Sequence, residues 1–286
     1  SYEDLIHLPP KTLAVTLECA GNGRALYHPP APFINVPWTH HAVSNARWKG
    51  VPLEQILRTA GVESGSKEVV FKGADHGIED AVGRELRYQR SLPLDVALHP
   101  DTLLAYQMTG ETLPRIHGFP LRLVVPGWYG MASVKWLTEI KVTARPFTGF
   151  YQVKRYVYEW TGRPLNRTAV SEVKVKSLIT QPLDGDALKG GKIIIRGIAW
   201  AGCARVKKVE VSADGGLAWK EARFVGHPTA YGWRHWECAW SVSEPGVYVL
   251  MVKATDELEN TQPIRARWNR QGLANNSIHA CVVKVS

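Results

Sequence analysis

The stretch that most constrains this chain runs Leu13-Ala14-Val15-Thr16-Leu17-Glu18-Cys19-Ala20-Gly21-Asn22-Gly23-Arg24. A β-prone apolar run ends in a cysteine and opens at once into a turn punctuated by glycine. Gly21 and Gly23 permit positive φ and close backbone approach, so the turn can fold tightly around something. The thiol therefore sits at the lip of a strand, with Arg24 close by in sequence. Thiolates are soft metal ligands and form most readily beside cations. A lone cysteine at a strand end is otherwise an inert core residue, so the rest of the chain has to decide between these readings.

At 286 residues the chain is long enough for two domains of about 150 residues each. It is 45% hydrophobic and 21% charged, a balance that can bury a sizeable core and excludes intrinsic disorder. No apolar run reaches the roughly 18 residues of a membrane helix. The net charge of +9 is spread along the chain without blocks of Lys or Arg. That pattern favours small anions, and no nucleic-acid motif accompanies it. Cys19, Cys203, Cys238 and Cys281 lie far apart, which argues against a zinc ribbon and against covalent haem. The chain begins abruptly, without a charged-then-apolar signal pattern, and reads as the middle of a domain.

Residues 1–28 read as a short turn of helix followed by the strand into the cysteine loop. Prolines at 29, 30, 32 and 37 predict an extended loop over 29–37. Val51 to Ala60 has helical spacing, with Pro52 in the first turn and Gly61 as a stop. Glu68 to Lys72 predicts a short strand that leads into a turn, Gly73-Ala74-Asp75-His76-Gly77. A second helix is expected from Ser91, a good cap, towards Leu98. Leu121 to Val125 and Trp136 to Val142 read as strands. Residues 145–170 turn aromatic and basic without a clear period, as a connector would. From about Ser171 the pattern is all-β. Strands are expected at Lys192–Arg196, at Val209 to Ala213 before an Asp214-Gly215-Gly216 hairpin, at Val247–Ala254 and at His279–Val285. Strands at such spacing predict an immunoglobulin-like sandwich.

Several blocks taken together resemble the sulfite oxidase family. They are the Leu-x-Cys-Ala-Gly-Asn-x-Arg segment at 17–24; Trp38 with Ala42-Val43-Ser44-Asn45-Ala46-Arg47-Trp48; Leu104-Ala105-Tyr106-Gln107-Met108-Thr109-Gly110-Glu111; His117-Gly118-Phe119-Pro120-Leu121-Arg122; Val125-Pro126-Gly127; and Ser133-Val134-Lys135-Trp136-Leu137. Their order is far more specific than any one of them. The resemblance implies an α+β cofactor domain of the sulfite oxidase fold, with mixed sheets, over 1–160. An all-β immunoglobulin-like dimerisation domain would follow over 161–286. It also implies that the family's cofactor domain starts earlier than Ser1, with a segment that supplies further pterin contacts and another arginine.

In that family the cysteine is the protein ligand to molybdenum in a molybdopterin cofactor, a role that falls here on Cys19. The resemblance makes Arg24 a binder of substrate oxyanion through its planar guanidinium, Tyr106 the active-site phenol and Trp38 a wall of the substrate pocket. His117, Arg122, Ser133 and Lys135 become pterin contacts, with Asp75 as a further candidate. Arg234 is a looser candidate for the site, and His40 and His41 read as structural or exposed. The implied activity is oxidation of sulfite to sulfate by oxygen-atom transfer, with electrons passed to an external acceptor such as a cytochrome. A homodimer and, more loosely, a periplasmic setting are implied too. A sulfane-sulfur dehydrogenase subunit, a nitrate or other oxyanion reductase, and a metal-free binding module are the alternatives.

Overall fold

The structure, a computed structural model, describes residues 1–32, 36–160 and 167–286. The cysteine strand forms as expected, over Lys11–Glu18, after a short helix Tyr2–Ile6 capped by the Ser1 hydroxyl. It pairs antiparallel with Val43–Pro52, which pairs in turn with Leu103–Met108. Glu111–Thr112 and Arg122–Val124 complete this sheet of five strands. A second sheet centres on Glu68–Glu79, flanked by Arg84–Pro93 and Leu137–Thr143. Mixed sheets are expected for this domain, yet the strand ladders in both of its sheets are antiparallel.

Three local expectations change. Val51 and Pro52 finish a strand, and the helix is Leu53–Ala60, which turns Leu53 and Leu57 into the core. Ser91 caps nothing: it lies in the strand Arg84–Pro93 opposite Val70, and the helix that follows is only Leu94–Ala97. Pairing against a Val-rich neighbour outweighs a local capping signal there. The strand from Glu68 also runs on to Glu79, so Asp75 and His76 sit at a bulge within a strand. A bulge re-aims side chains out of the regular alternation.

The sandwich is as expected. One sheet orders Lys176–Gln181, Gly191–Trp200, Arg234–Val242 and Arg223–Val225; the other orders Ala187–Leu188, His279–Val285, Gly246–Asp256, Val206–Ser212 and Lys220–Glu221. The Asp214 hairpin joins Val206–Ser212 to Lys220–Glu221, and the Asp214 carboxylate accepts the N–H groups of Leu217 and Ala218. Cys238 and Cys281 are both free and buried in this core. The expected domain boundary after 160 abuts residues 161–166, which lie outside the described residues.

A third apolar cluster lies between the two units. It joins Ala20 of the cysteine loop, Tyr129 and Met131 to Val173, Trp200, Leu273 and Ala274. The Thr16 N–H donates to the carbonyl of Tyr231 at 2.9 Å, so the cysteine strand is also stitched to the second domain. Among the described residues no helix is long and apolar enough to cross a membrane.

Candidate active site

Cys19 is free and exposed at the end of its strand. Its N–H donates to Ala42 O and its carbonyl accepts from Asn22 N–H, both at 2.9 Å, so the backbone holds the thiol at the turn. Glu18, immediately before it, points inward and is 1% exposed. The Glu18 carboxylate accepts from Lys176 Nζ at 3.0 Å, from Trp200 Nε1 at 2.9 Å and from Asn22 Nδ2 at 2.9 Å. A buried charge with three donors is satisfied, whereas an unpaired one would be very costly. Two of these donors come from the sandwich domain, which thereby fixes the base of the loop.

Arg24 is buried beside the thiol. Its Nε donates to Gln271 O at 3.0 Å, and Nη1 reaches Val36 O at 3.4 Å. Burial lowers its pKa, and the nearby Cys19 opposes that shift. The arginine needs both glycines around it. A Cβ on Gly21 would stand 2.8 Å from Nη2, and one on Gly272, at φ +61, would stand 2.7 Å from Cγ. Trp38 lies over the same loop, its carbonyl accepting Ala25 N–H at 3.1 Å, with its ring 40% exposed.

Tyr106 is not brought to Cys19. It lies on Leu103–Met108 beside the bulge at Lys49/Gly50, whereas Glu18 pairs with Val43. Six or seven residues of strand separate those points, roughly 20 Å. Tyr106 packs in the core with Leu104 and Leu123 at 6% exposure, with Tyr2 in electrostatic reach. The phenol in reach of Cys19 is Tyr156. Burial and then the Cys19 charge raise its pKa, which keeps the hydroxyl protonated. Its ring lies 5.7 Å from the guanidinium of Arg90, which is 1% exposed and donates to Val170 O at 3.2 Å. Tyr156 follows a turn of π-helix at Tyr151–Arg155, and Arg155 lies within reach of both Tyr156 and Arg24. The aromatic, aperiodic run 145–170 was the available signal for this side of the site.

The pterin candidates form a second cluster. Lys135 Nζ donates to Ile116 O at 3.0 Å. Arg122 donates to His117 O at 3.0 Å and Ser133 O at 3.2 Å; burial pushes its pKa down to about 10. Ser133 Oγ accepts Val125 N–H at 3.1 Å. Arg122 and Ser133 thus brace the loops, while His117 and Lys135 keep side-chain capacity for a ligand. Asp75 joins them: Ala74 N–H bonds Trp136 O at 2.8 Å, and Asp75 Oδ1 is buried without a partner. Burial raises the Asp75 pKa and Lys135 opposes the shift. Gly118, at φ +110, lets the His117 loop lie against the backbone of Lys135. Tyr88 connects the two clusters, being within electrostatic reach of both Tyr156 and Asp75. Arg234 stands apart, stacked at 3.5 Å on the Phe224 ring in the sandwich. His41 is exposed, and His40 packs edge-on against His279.

Residues 1–151 match the family model of the oxidoreductase molybdopterin-binding domain, and residues 167–286 match that of the Mo-co oxidoreductase dimerisation domain. The chain belongs to the sulfite oxidase family. The mitochondrial sulfite oxidase of Rattus norvegicus is 37% identical over all of this chain and 55% of its own length. An inducible nitrate reductase of Glycine max is 33% identical over 96% of this chain and 34% of its own length. The crystal structure of the sulfane dehydrogenase SoxCD from Paracoccus pantotrophus superposes with a TM-score of 0.83 at 28% identity, covering all of this chain and 74% of that one. The chain thus spans about half the length of the rat sulfite oxidase it matches.

The residues present fit the family's molybdopterin. The Lys135 and His117 side chains offer donors to an anionic group, and the orphaned Asp75 oxygen offers an acceptor to a ring N–H. Among the described residues no group of three or more His, Cys, Asp or Glu could hold a metal alone. The free, exposed Cys19 thiol would add one protein sulfur donor to such a group.

Proposed function

We propose that this chain oxidises sulfite to sulfate, with molybdenum held at Cys19 and electrons passed to an external acceptor such as a cytochrome. The observation that carries the reading is an exposed thiol flanked by a buried arginine and a half-buried, protonated phenol. When bound, the molybdopterin supplies the metal centre that exchanges an oxygen atom and takes up two electrons. The chain's own residues place the anion. Arg24 offers its guanidinium to two oxygens of the substrate and is itself anchored through Gln271 O. Tyr156 donates a hydrogen bond without bringing charge, in the role first assigned to Tyr106. Trp38 walls the mouth and limits water. Lys135, His117 and Asp75 hold the pterin and its phosphate, on loops that Arg122 and Ser133 keep in shape. The sandwich domain is read as the surface through which two copies pair.

The test is molybdenum content together with sulfite-dependent reduction of ferricyanide, for the native protein and Cys19→Ser. We expect metal-replete, active native protein and an inactive Cys19→Ser. Turnover that survives the substitution would remove the ligand assignment. The likeness to SoxCD favours a second reading, a sulfane-sulfur dehydrogenase subunit. Metal-replete protein that ignores sulfite would favour that one.

A further inference from the structure

Behind the cysteine loop, where it meets the second domain, lies a cavity of about 350 Å³. The first domain contributes Gly23, Leu26, His28 and His40 to its wall; the second contributes Arg265, Asn275 and His279. Among the described residues no Asp or Glu lines it; the carboxylate in electrostatic reach of His279 is that of Asp184. The site described above uses none of the histidines here.

The histidines carry the argument. Ile179 N–H donates to His279 Nδ1 at 3.1 Å, so that nitrogen is an acceptor and the ring's proton sits on Nε2. His40 packs edge-on against that ring, with centroids 4.5 Å apart, and its own Nδ1 is buried without any partner. A buried polar nitrogen left unpaired costs on the order of 1–3 kcal/mol; that nitrogen is sealed from solvent, so what His40 turns to the cavity is the rest of its ring. Lys176 lines the same space. Its ammonium is committed to Glu18 and the Asn22 carbonyl, so it adds field and no free donor. Arg265 is exposed at the rim and adds a full positive charge. Part of the rim is apolar: Leu26 is 47% exposed and Ile264 is 74% exposed, and both line the cavity. Positive charge, N–H donors and aliphatic surface around one cavity suit an anion with a short carbon tail.

We propose that this cavity is a second anion site, separate from Cys19, which takes a tetrahedral oxyanion head between His40, His279 and Arg265. Inorganic sulfate and a short alkylsulfonate share that head. The sulfonate would lay its carbons along Leu26 and Ile264.

The test follows the imidazole ¹⁵N and ¹H signals of the ¹⁵N-histidine-labelled full chain while sodium sulfate or sodium butanesulfonate is added. Ionic strength is held constant with chloride, and His40→Gln assigns the His40 signal. The expected result is a saturable shift of the His40 and His279 signals, the same in native protein and in Arg24→Gln. Arg265→Gln should weaken binding about tenfold, as loss of a charge-assisted hydrogen bond does, and an exposed rim position tolerates the change. Butanesulfonate binding more tightly than sulfate assigns the tail to the apolar rim; the reverse assigns the inorganic ion. Signals that stay still, that move equally with chloride, or that stop moving in Arg24→Gln would overturn the second site. The readout is independent of metal content and turnover, so it stands or falls apart from sulfite oxidation.

Discussion

Two tyrosines separate what a motif suggests from what a pocket requires. Tyr106 is embedded in hydrocarbon, whereas Tyr156 shares an electrostatic environment with Cys19 and Arg24. Tyr156→Phe keeps the ring and removes one hydrogen-bond donor, so kcat/KM for sulfite should fall about tenfold to a thousandfold. Tyr106→Phe should leave steady-state kinetics near native. The opposite outcome would return the role to Tyr106. For Arg24 the informative change is Arg24→Gln, which preserves bulk between Gly21 and Gly272. Loss of its charge should raise the sulfite KM at least tenfold, with kcat less affected. An unchanged KM would take Arg24 out of the substrate site.

At the scale of elements, the cysteine loop is held from behind by a different domain. The segment after Trp268 supplies Gln271 O to Arg24, Ala274 N–H to Ala20 O at 2.7 Å and Asn275 Nδ2 to Gly23 O at 2.8 Å. Gly272 is the tight point. A Cβ there would stand 2.7 Å from Arg24 Cγ and 2.8 Å from Ala31 Cβ, at a φ that disfavours any side chain. Gly272→Ala should cost about 1–3 kcal/mol of stability, and by displacing Arg24 it should raise the KM as well. Denaturant titration and steady-state kinetics check both together. Below the loop, Lys176→Met would strand the Glu18 carboxylate and should cost about 3–5 kcal/mol. Adding Glu18→Gln should recover most of that, because the amide oxygen can still accept from Trp200. A double variant as unstable as Lys176→Met alone would show that the ion pair contributes beyond compensating for its own burial.

For the molecule as a whole, the interface between the domains sets an acid limit. Burial is the main cause that pushes His40 down to about 3 and His279 down to about 4. Both are neutral in the fold and take up protons near pH 6.5 when unfolded. The unfolded chain therefore binds more protons between about pH 6.5 and 4, and stability falls as pH drops through that window. Each ring contributes at most about 1.4 kcal/mol per pH unit. Melting temperature should decline from pH 6.5 to 4, and less steeply in His40→Gln. Equal slopes would place the acid sensitivity elsewhere. Much of this molecule was legible in the chain itself. The strand into Cys19, the Asp214 hairpin and the sandwich rest on local apolar alternation and turn chemistry, which act over a few residues. Cys19, Arg24 and Trp38 come from one contiguous stretch, so their neighbourhood needed no folding to be read. The tertiary structure alone decided the rest. It brought Tyr156 rather than Tyr106 within reach of Cys19, continued the Asp75 strand past its expected end, and set Glu18 on Lys176 and Arg24 on Gln271. The physical reason is distance along the chain: these pairings join segments more than a hundred residues apart, or depend on which strand lies alongside, and no periodicity encodes that.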